Sequence, residues 1–256
     1  MYKLKDNKII FSRKFKPEEL ESISSGANAK IYKINLDNKD YALKIFYDSK
    51  LFTSDELDQK SKINIKSFIS PKKLFYLNHK LKGYTMKLCK GKSLNKQKLD
   101  ITIKDFIKYA TKLLNDTDRL SKLDYVVDDL SLDNLMLDNG FRVVDIDFFE
   151  PYSEEMKNKI TDICKYNNLE MVKLLVNLFI KNTNLTYEFV INDKLRILNS
   201  NCISGKISFF EFLDEVFFLT YGNNKFKNIT IEKLGNDLKS KLNIKKNVVD
   251  LTEKIR

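Results

Sequence analysis

Tryptophan is absent from the 256 residues, histidine occurs once, cysteine and proline three times each, and glycine seven times. Cys89, Cys164 and Cys202 are widely spaced, odd in number and not clustered with His79. That spacing excludes an ordinary zinc knuckle and a disulfide framework, and leaves buried reduced thiols as the expectation. No apolar run reaches the roughly eighteen residues of a membrane-spanning helix, so no membrane segment is expected. The opening residues, Met1-Tyr2-Lys3-Leu4-Lys5-Asp6, lack the apolar stretch of a secretory signal, so a cytoplasmic protein is expected. No internal repeat is visible, and no Pro/Gly/Ser-rich linker divides the chain.

Charge is present in excess of one sign: 46 Lys+Arg against 35 Asp+Glu, a formal +11. A basic surface attracts nucleic acid, anionic membranes or acidic proteins. The lysines are spread along the chain, however, without an arginine-rich block or a nucleic-acid motif, so no specific nucleic-acid binding is expected. Abundant Lys, Asn and Ile beside scarce Pro, Gly and His read as drift towards AT-rich codons. With 43% hydrophobic residues, the chain has enough apolar material for one large domain or two closely joined lobes.

The first hundred residues read largely as strands. Ile31-Tyr32-Lys33-Ile34 and Tyr41-Ala42-Leu43-Lys44-Ile45-Phe46 flank the turn-like Leu36-Asp37-Asn38-Lys39-Asp40, the pattern of a β-hairpin. Lys73-Leu74-Phe75-Tyr76 and Gly83-Tyr84-Thr85-Met86-Lys87-Leu88 flank Asn78-His79-Lys80 in the same way. Between them Ser54 is expected to cap a helix running through Glu56, Asp58 and Ile63-Asn64-Ile65. An antiparallel sheet with one inserted helix follows.

After Gly91 the period changes. Ile103, Phe106, Ile107, Ala110, Leu113 and Leu114 recur at helical spacing, as do Met171, Leu174, Leu175, Leu178 and Phe179. Phe209, Phe210, Phe212, Leu213, Val216, Phe217 and Phe218 make a helix apolar nearly all round, which predicts burial. Ile231, Leu234, Leu238 and Leu242 mark a last helix. The expected division is a β-rich lobe over residues 1–90 and a helical lobe over 91–256, an α+β protein with its boundary between Leu88 and Gly91.

Three polar groups stand out beside apolar, strand-like runs. Asp129 is followed five residues later by Asn134 and, eleven residues after that, by Asp145. The segment from Val127 to Asn134 is similar to His-Arg-Asp-Leu-x-x-x-Asn, and Phe141-Arg142-Val143-Val144-Asp145 to the strand entering Asp-Phe-Gly. Tyr41-Ala42-Leu43-Lys44 is similar to Val-Ala-Ile-Lys, and Ser24-Ser25-Gly26-Ala27-Asn28-Ala29-Lys30-Ile31 to a Gly-rich phosphate loop. Taken one at a time, these segments read equally well as turns, caps and a solvent-facing lysine. As an ordered set over roughly residues 20–180, the chain resembles the protein-kinase superfamily in a divergent, bacterial or phage-type form.

That resemblance implies a two-lobed fold with a small antiparallel sheet lobe and a larger helical lobe, and an ATP- and Mg²⁺-dependent phosphotransferase of Ser/Thr kinase type. It implies that Asp129 orients the acceptor hydroxyl, that Asn134 and Asp145 hold Mg²⁺, and that Lys44 pairs with phosphates. Ser24, Gly26 and Ala29 would let backbone approach phosphate. Ile31, Ala42, Met86 and Met136 would enclose adenine, with Leu88 and Cys89 supplying a hinge edge. The carboxylate partner of Lys44 would be Glu56, favoured for reach, or Asp58. A register using Asp147-Phe148-Phe149 in place of Asp145 stretches the preceding strand, so Asp145 is preferred.

The chain also departs from the family. Val127 and Asp128 replace the loop His and Arg, Ser131 replaces a lysine, Ile146-Asp147 replaces Phe-Gly, and no Ala-Pro-Glu anchor follows. A long peptide-docking activation segment is therefore expected to be absent or rudimentary. The acceptor is a protein in the favoured reading; a small hydroxylated molecule, or a nucleotide-binding pseudokinase acting as a scaffold, are the alternatives.

Overall fold

The protein is described here by a computed structural model covering residues 2–5, 8–11, 15–223 and 228–254. Among those residues the fold is mixed α+β, with a seven-stranded sheet and eight α-helices. Two compact units divide the chain: one is Met1–Gly91 with Asn134–Glu150, the other Lys92–Asp133 with Pro151–Arg256.

The first unit carries strands β1 (Tyr2–Lys5), β2 (Lys8–Phe11), β3 (Ser22–Ser25), β4 (Ala29–Leu36), β5 (Lys39–Phe46), β6 (Pro71–Leu77) and β7 (Lys80–Lys87). Their order across the sheet is β1-β2-β6-β7-β5-β4-β3. Both expected hairpins form. Asp37 and Asn38 between β4 and β5, and Asn78 and His79 between β6 and β7, all adopt positive φ, as two-residue hairpin turns with the twist of the flanking strands require. His79 is thus a turn residue. The sheet is not wholly antiparallel, because β2 runs parallel to β6, with Lys8 opposite Leu74.

Alternation along β5 assigns its two faces. Leu43 points to a core with Ile9, Tyr32, Ile34, Leu36 and Phe75. Ala42 and Phe46 point to the other core, with Leu57, Ile69, Leu74, Tyr84 and Met86. Leu57 belongs to helix α1 (Ser54–Ser61), which therefore covers that second face. The N-cap of α1 is Thr53, one residue before the expected Ser54, in a capping box with Glu56. Nor does α1 reach Ile65: Ile63 and Ile65 are both buried, two residues apart, which extended backbone achieves and one helical face cannot.

The segment Asn134–Glu150 contributes β9 (Leu135–Leu137) and β10 (Phe141–Val143), paired antiparallel around an Asn139-Gly140 turn. It docks on the loop after α1: Val143 donates to the Ser67 carbonyl (2.7 Å) and accepts from Ile69 (2.9 Å). The fully buried Arg142 donates to the carbonyls of Lys66 (2.9 Å), Asp138 and Asn139.

The second unit holds α2 (Ile103–Ser121), the short β8 (Tyr125–Val126), α3 (Glu154–Lys157), α4 (Ile163–Thr183), α5 (Thr186–Ile191), α6 (Asp193–Ile203), α7 (Phe209–Tyr221) and α8 (Ile231–Lys254). Its core is aromatic: Phe106 meets Phe179 and Phe209, and Phe179 meets Phe212, at ring separations of 5.7–6.0 Å. The α7 helix is not apolar all round in its setting, since Phe218 is 53% exposed while Phe209, Phe212, Leu213, Val216 and Phe217 are buried. Gly235 lets α8 pass against α4; a Cβ there would lie 2.0 Å from the Thr183 carbonyl oxygen. No helix among the described residues is long and apolar enough to cross a membrane.

Candidate functional site

Lys44 is 3% exposed, and a buried ammonium needs counter-charge. Two carboxylates supply it: Asp145 through Oδ1, and Asp147, whose Oδ2 lies 2.7 Å from Nζ. Burial favours the neutral amine of Lys44, but Asp147 and then Asp145 outweigh it and hold the group above its ordinary value. The two aspartates reach the same ammonium because Asp145 adopts a left-handed conformation (φ 62°, ψ 54°) and leads into a single 3-10 turn, Ile146–Phe148. Their side chains differ in setting: Asp145 is 30% exposed and Asp147 fully enclosed.

Asp147 is tied on three sides. Its Oδ1 accepts from the hydroxyl of Tyr84, its Oδ2 pairs with Lys44, and its main-chain carbonyl accepts from Lys60. Burial pushes the Asp147 carboxyl up, with Lys44 opposing. Burial and Asp147 together push the Tyr84 phenol well up, and burial lowers the ammonium of Lys60. Tyr84 stands directly across from Lys44 in the β5–β7 register, so both side chains rise from one face of the sheet. Phe46, Phe52 and Phe148 wall the cluster, with Phe52 5.2 Å from Phe46 and 5.5 Å from Phe148.

Glu56 does not reach Lys44. Its carboxylate accepts from the Thr53 main chain (2.7 Å) and hydroxyl (2.8 Å), and these bonds hold it below its ordinary value. Asp58 makes a surface pair with Lys62 at 3.5 Å. The inward positions of α1 are Leu57 and Lys60, and positions one residue away point about 100° aside. Neither of the two expected α1 partners is therefore brought to the lysine.

Asn134 sits at the end of β9, where its carbonyl accepts from Val144 at 2.8 Å. Pairing of Leu135 with Val143 thus sets Asn134 beside the residue preceding Asp145. An amide oxygen and a half-buried carboxylate at such neighbouring positions are the hard oxygen donors that Mg²⁺ takes. Among the other expected residues, Ile31, Leu88 and Cys89 pack, together with Val144, against the core that contains Ala29, Ala42 and Met86. Burial and Asp138 push the Cys89 thiol up to about 11. Met136 is half-buried on β9, opposite Arg142. The β3–β4 turn closes through Gly26 N–H to the Ala29 carbonyl (2.9 Å). A Cβ at Gly26 would meet only that oxygen, at 3.8 Å, so glycine is not sterically required there. Ser24 is exposed and pairs with Ile31.

Asp129 lies in the second unit, exposed, with positive φ (51°), its N–H bonded to the Asp128 carboxylate at 2.8 Å. The strand leading to it is fixed from α4: buried Asn167 accepts from the N–H of Val127, two residues before Asp129 (2.9 Å), and donates to the Tyr125 carbonyl (2.7 Å) and to Ser121 (2.9 Å). A shallow recess of about 230 Å³ is lined by Val127, Asp128, Asp129, Leu130, Tyr166 and Glu170. A groove of about 550 Å³ continues past Ser131, Asp133, Lys173 and Asn177. Within it Glu170 and Lys173 pair at 2.6 Å, and Asp133 accepts from Asn95 at 2.9 Å.

Sequence reasoning missed Tyr84, Lys60 and Asn167, and met Asp147 only as an alternative register. Tyr84 meets Lys44 through the β5–β7 pairing, which no hairpin turn sets, and nothing local in the sequence marks Lys60 or Asn167. No family model matches the chain, and no curated protein matches it in sequence.

Proposed function

We propose that the chain is an ATP- and Mg²⁺-dependent phosphotransferase resembling a Ser/Thr protein kinase. The observation that supports this reading is the convergence of Lys44, Asn134 and Asp145 in one unit. A buried ammonium on a strand pairs with a partly exposed carboxylate, and the amide stands at the adjoining strand end. Residues so far apart in sequence meet as the order of the motifs requires, whereas turn caps or a solvent-facing lysine would not.

In this reading Lys44 bonds to phosphate oxygens, and Ile31, Ala42, Met86 and Met136 contact the adenine, with the Leu88–Cys89 backbone at its edge. Asn134 and Asp145 would hold the metal, which would supply charge neutralisation for the triphosphate. Asp129 accepts the proton of the acceptor hydroxyl. The hydroxyl oxygen then bonds to the γ-phosphorus as the bond to the bridging oxygen breaks, and ADP leaves.

One feature favours a small hydroxylated acceptor as a second reading. From Asp145 to the start of α4 at Ile163 the chain holds only elements of two to four residues. That leaves no long segment on which a peptide could dock.

The test is transfer of labelled phosphate from Mg-ATP, with turnover also followed as ADP release. Asp129→Ala is expected to lower turnover by a factor of about 10² or more, the usual worth of a positioned acid or base. Native levels of transfer in that variant would refute the assignment.

A further inference from the structure

A phosphotransferase of the proposed kind needs its strand lysine held towards phosphate by a carboxylate, and the kinase resemblance seats that carboxylate on the helix packed over the sheet. Here that helix, α1, offers none. Glu56 is committed to the helix N-terminus, Asp58 faces Lys62, and the inward-pointing residue one turn along is a lysine, Lys60. The helix that should bring an anion to the cluster brings a cation.

The missing group is present elsewhere. Asp147 occupies the position where the resemblance expects glycine, two residues after Asp145, and it is the fully enclosed partner of Lys44. Asp145, by contrast, is 30% exposed and is the residue assigned to metal. The two carboxylates therefore divide the work. When Asp145 turns to the metal–nucleotide, Lys44 keeps Asp147, whose other oxygen is fixed by Tyr84 from the strand beside Lys44 and whose main-chain carbonyl is fixed by Lys60. The substitution of Asp for Gly at 147 and the absence of an inward acid on α1 are then two halves of one arrangement.

We propose that Asp147, held by Tyr84, is the residue that positions Lys44 for phosphate, in place of a carboxylate on α1. The inference rests on the phosphotransferase reading. It names Asp147 as a positioning residue, because it touches Lys44 and neither substrate nor metal. The contact lies in the turn directly after Asp145, and α1 bears on it through Lys60, which holds the Asp147 carbonyl.

Two measurements on the full chain test it. The first needs no nucleotide. Acetylation of Lys44 by sulfo-N-hydroxysuccinimide acetate, followed by mass spectrometry, reads how firmly the ammonium is held. In Asp147→Asn the rate is expected to rise about tenfold, as loss of one charge-assisted hydrogen bond releases the side chain. A smaller rise is expected in Tyr84→Phe, which removes only a hydroxyl and keeps the fold should the first variant fail to fold. The second measurement is Mg-ATP turnover. Asparagine keeps the shape of aspartate and the Tyr84 bond, so a merely structural role would leave kcat unchanged. The positioning role lowers kcat about tenfold or more, with KM for Mg-ATP within about threefold of native.

Lys44 acetylation as slow in both variants as in the native chain, in a protein that does turn over Mg-ATP, would overturn the role of Asp147 alone. So would a Glu56→Gln variant that frees Lys44 as much as Asp147→Asn does. A native chain that neither binds nor turns over Mg-ATP would instead overturn the phosphotransferase reading, whatever the acetylation shows about Asp147.

Discussion

A Cβ at position 83 would lie 1.8 Å from the carbonyl oxygen of Lys44 and 2.9 Å from its carbon. Gly83 stands opposite Ile45 in the β5–β7 pairing, so the backbone bearing Lys44 is pressed on the glycine. Nothing flexible is at hand to give way. Gly83→Ala is expected to destabilise the protein by about 1–3 kcal/mol, the usual cost of overpacking, and, on the proposed function, to lower Mg-ATP turnover by shifting the strand that carries the lysine. Urea unfolding followed by circular dichroism checks the first effect and ADP release the second; a native midpoint with native turnover would contradict both. Residue identity made much of this site legible. Order and spacing singled out Lys44 and Asp145, which pair, and Asn134, whose strand end lies beside the residue preceding Asp145. The enclosed partner of Lys44 could not be picked out, because reach along α1 made Glu56 the natural choice. Which acid faces the sheet depends on the rotation of that helix, and its rotation is fixed by Leu57 and by a cap one residue earlier than expected.

At the scale of elements, α1 illustrates how a short helix is held. It has eight residues, too few to be stable alone in water, so its capping box and the burial of Leu57 and Lys60 matter. Thr53→Ala is expected to cost about 1 kcal/mol. The carboxylate of Glu56 sits below its ordinary value because it accepts from Thr53. A folded-state pKa below the unfolded one contributes stability that is present above the unfolded value, 4.5, and is lost as pH falls through the lower folded value. The stability gap between native and Thr53→Ala should therefore narrow below pH 4.5, and thermal melts at neutral and acid pH check this; a gap unchanged with pH would exclude the box as the source. Hairpins and long helices were legible because Asp-Asn and Asn-His turns and three- and four-residue spacings are local signals. The parallel pairing of β2 with β6 was not, since residues 12–70 separate the strands and no local signal selects a partner at that distance. The exposed Phe218 was likewise hidden, because an apolar residue on a helix declares its face only when neighbours are in place.

Taken whole, the molecule interleaves its chain. The first unit is completed by Asn134–Glu150, which supplies both carboxylates of Lys44 and the β10 bonds to Ser67 and Ile69. A boundary near Gly91 was legible from the change of period; the return of a later segment was not, because its short strands resemble their surroundings in composition. A fragment ending at Gly91 would leave Lys44 buried without a counter-ion, a penalty of several kcal/mol, and is expected not to unfold as a cooperative unit. Adding residues 134–150 through a flexible linker should restore a cooperative thermal transition by circular dichroism. A sharp transition in the shorter fragment alone would show the segment to be dispensable.

The same interleaving has a meaning in time. On the ribosome the strand carrying Lys44 is made early, and residues 92–144 must be added before either aspartate exists. At about 5–20 residues per second that interval is roughly 3–11 s. Through it the nascent sheet carries a lysine whose anions have not yet been synthesised, so translation itself sets the earliest moment at which this unit can close.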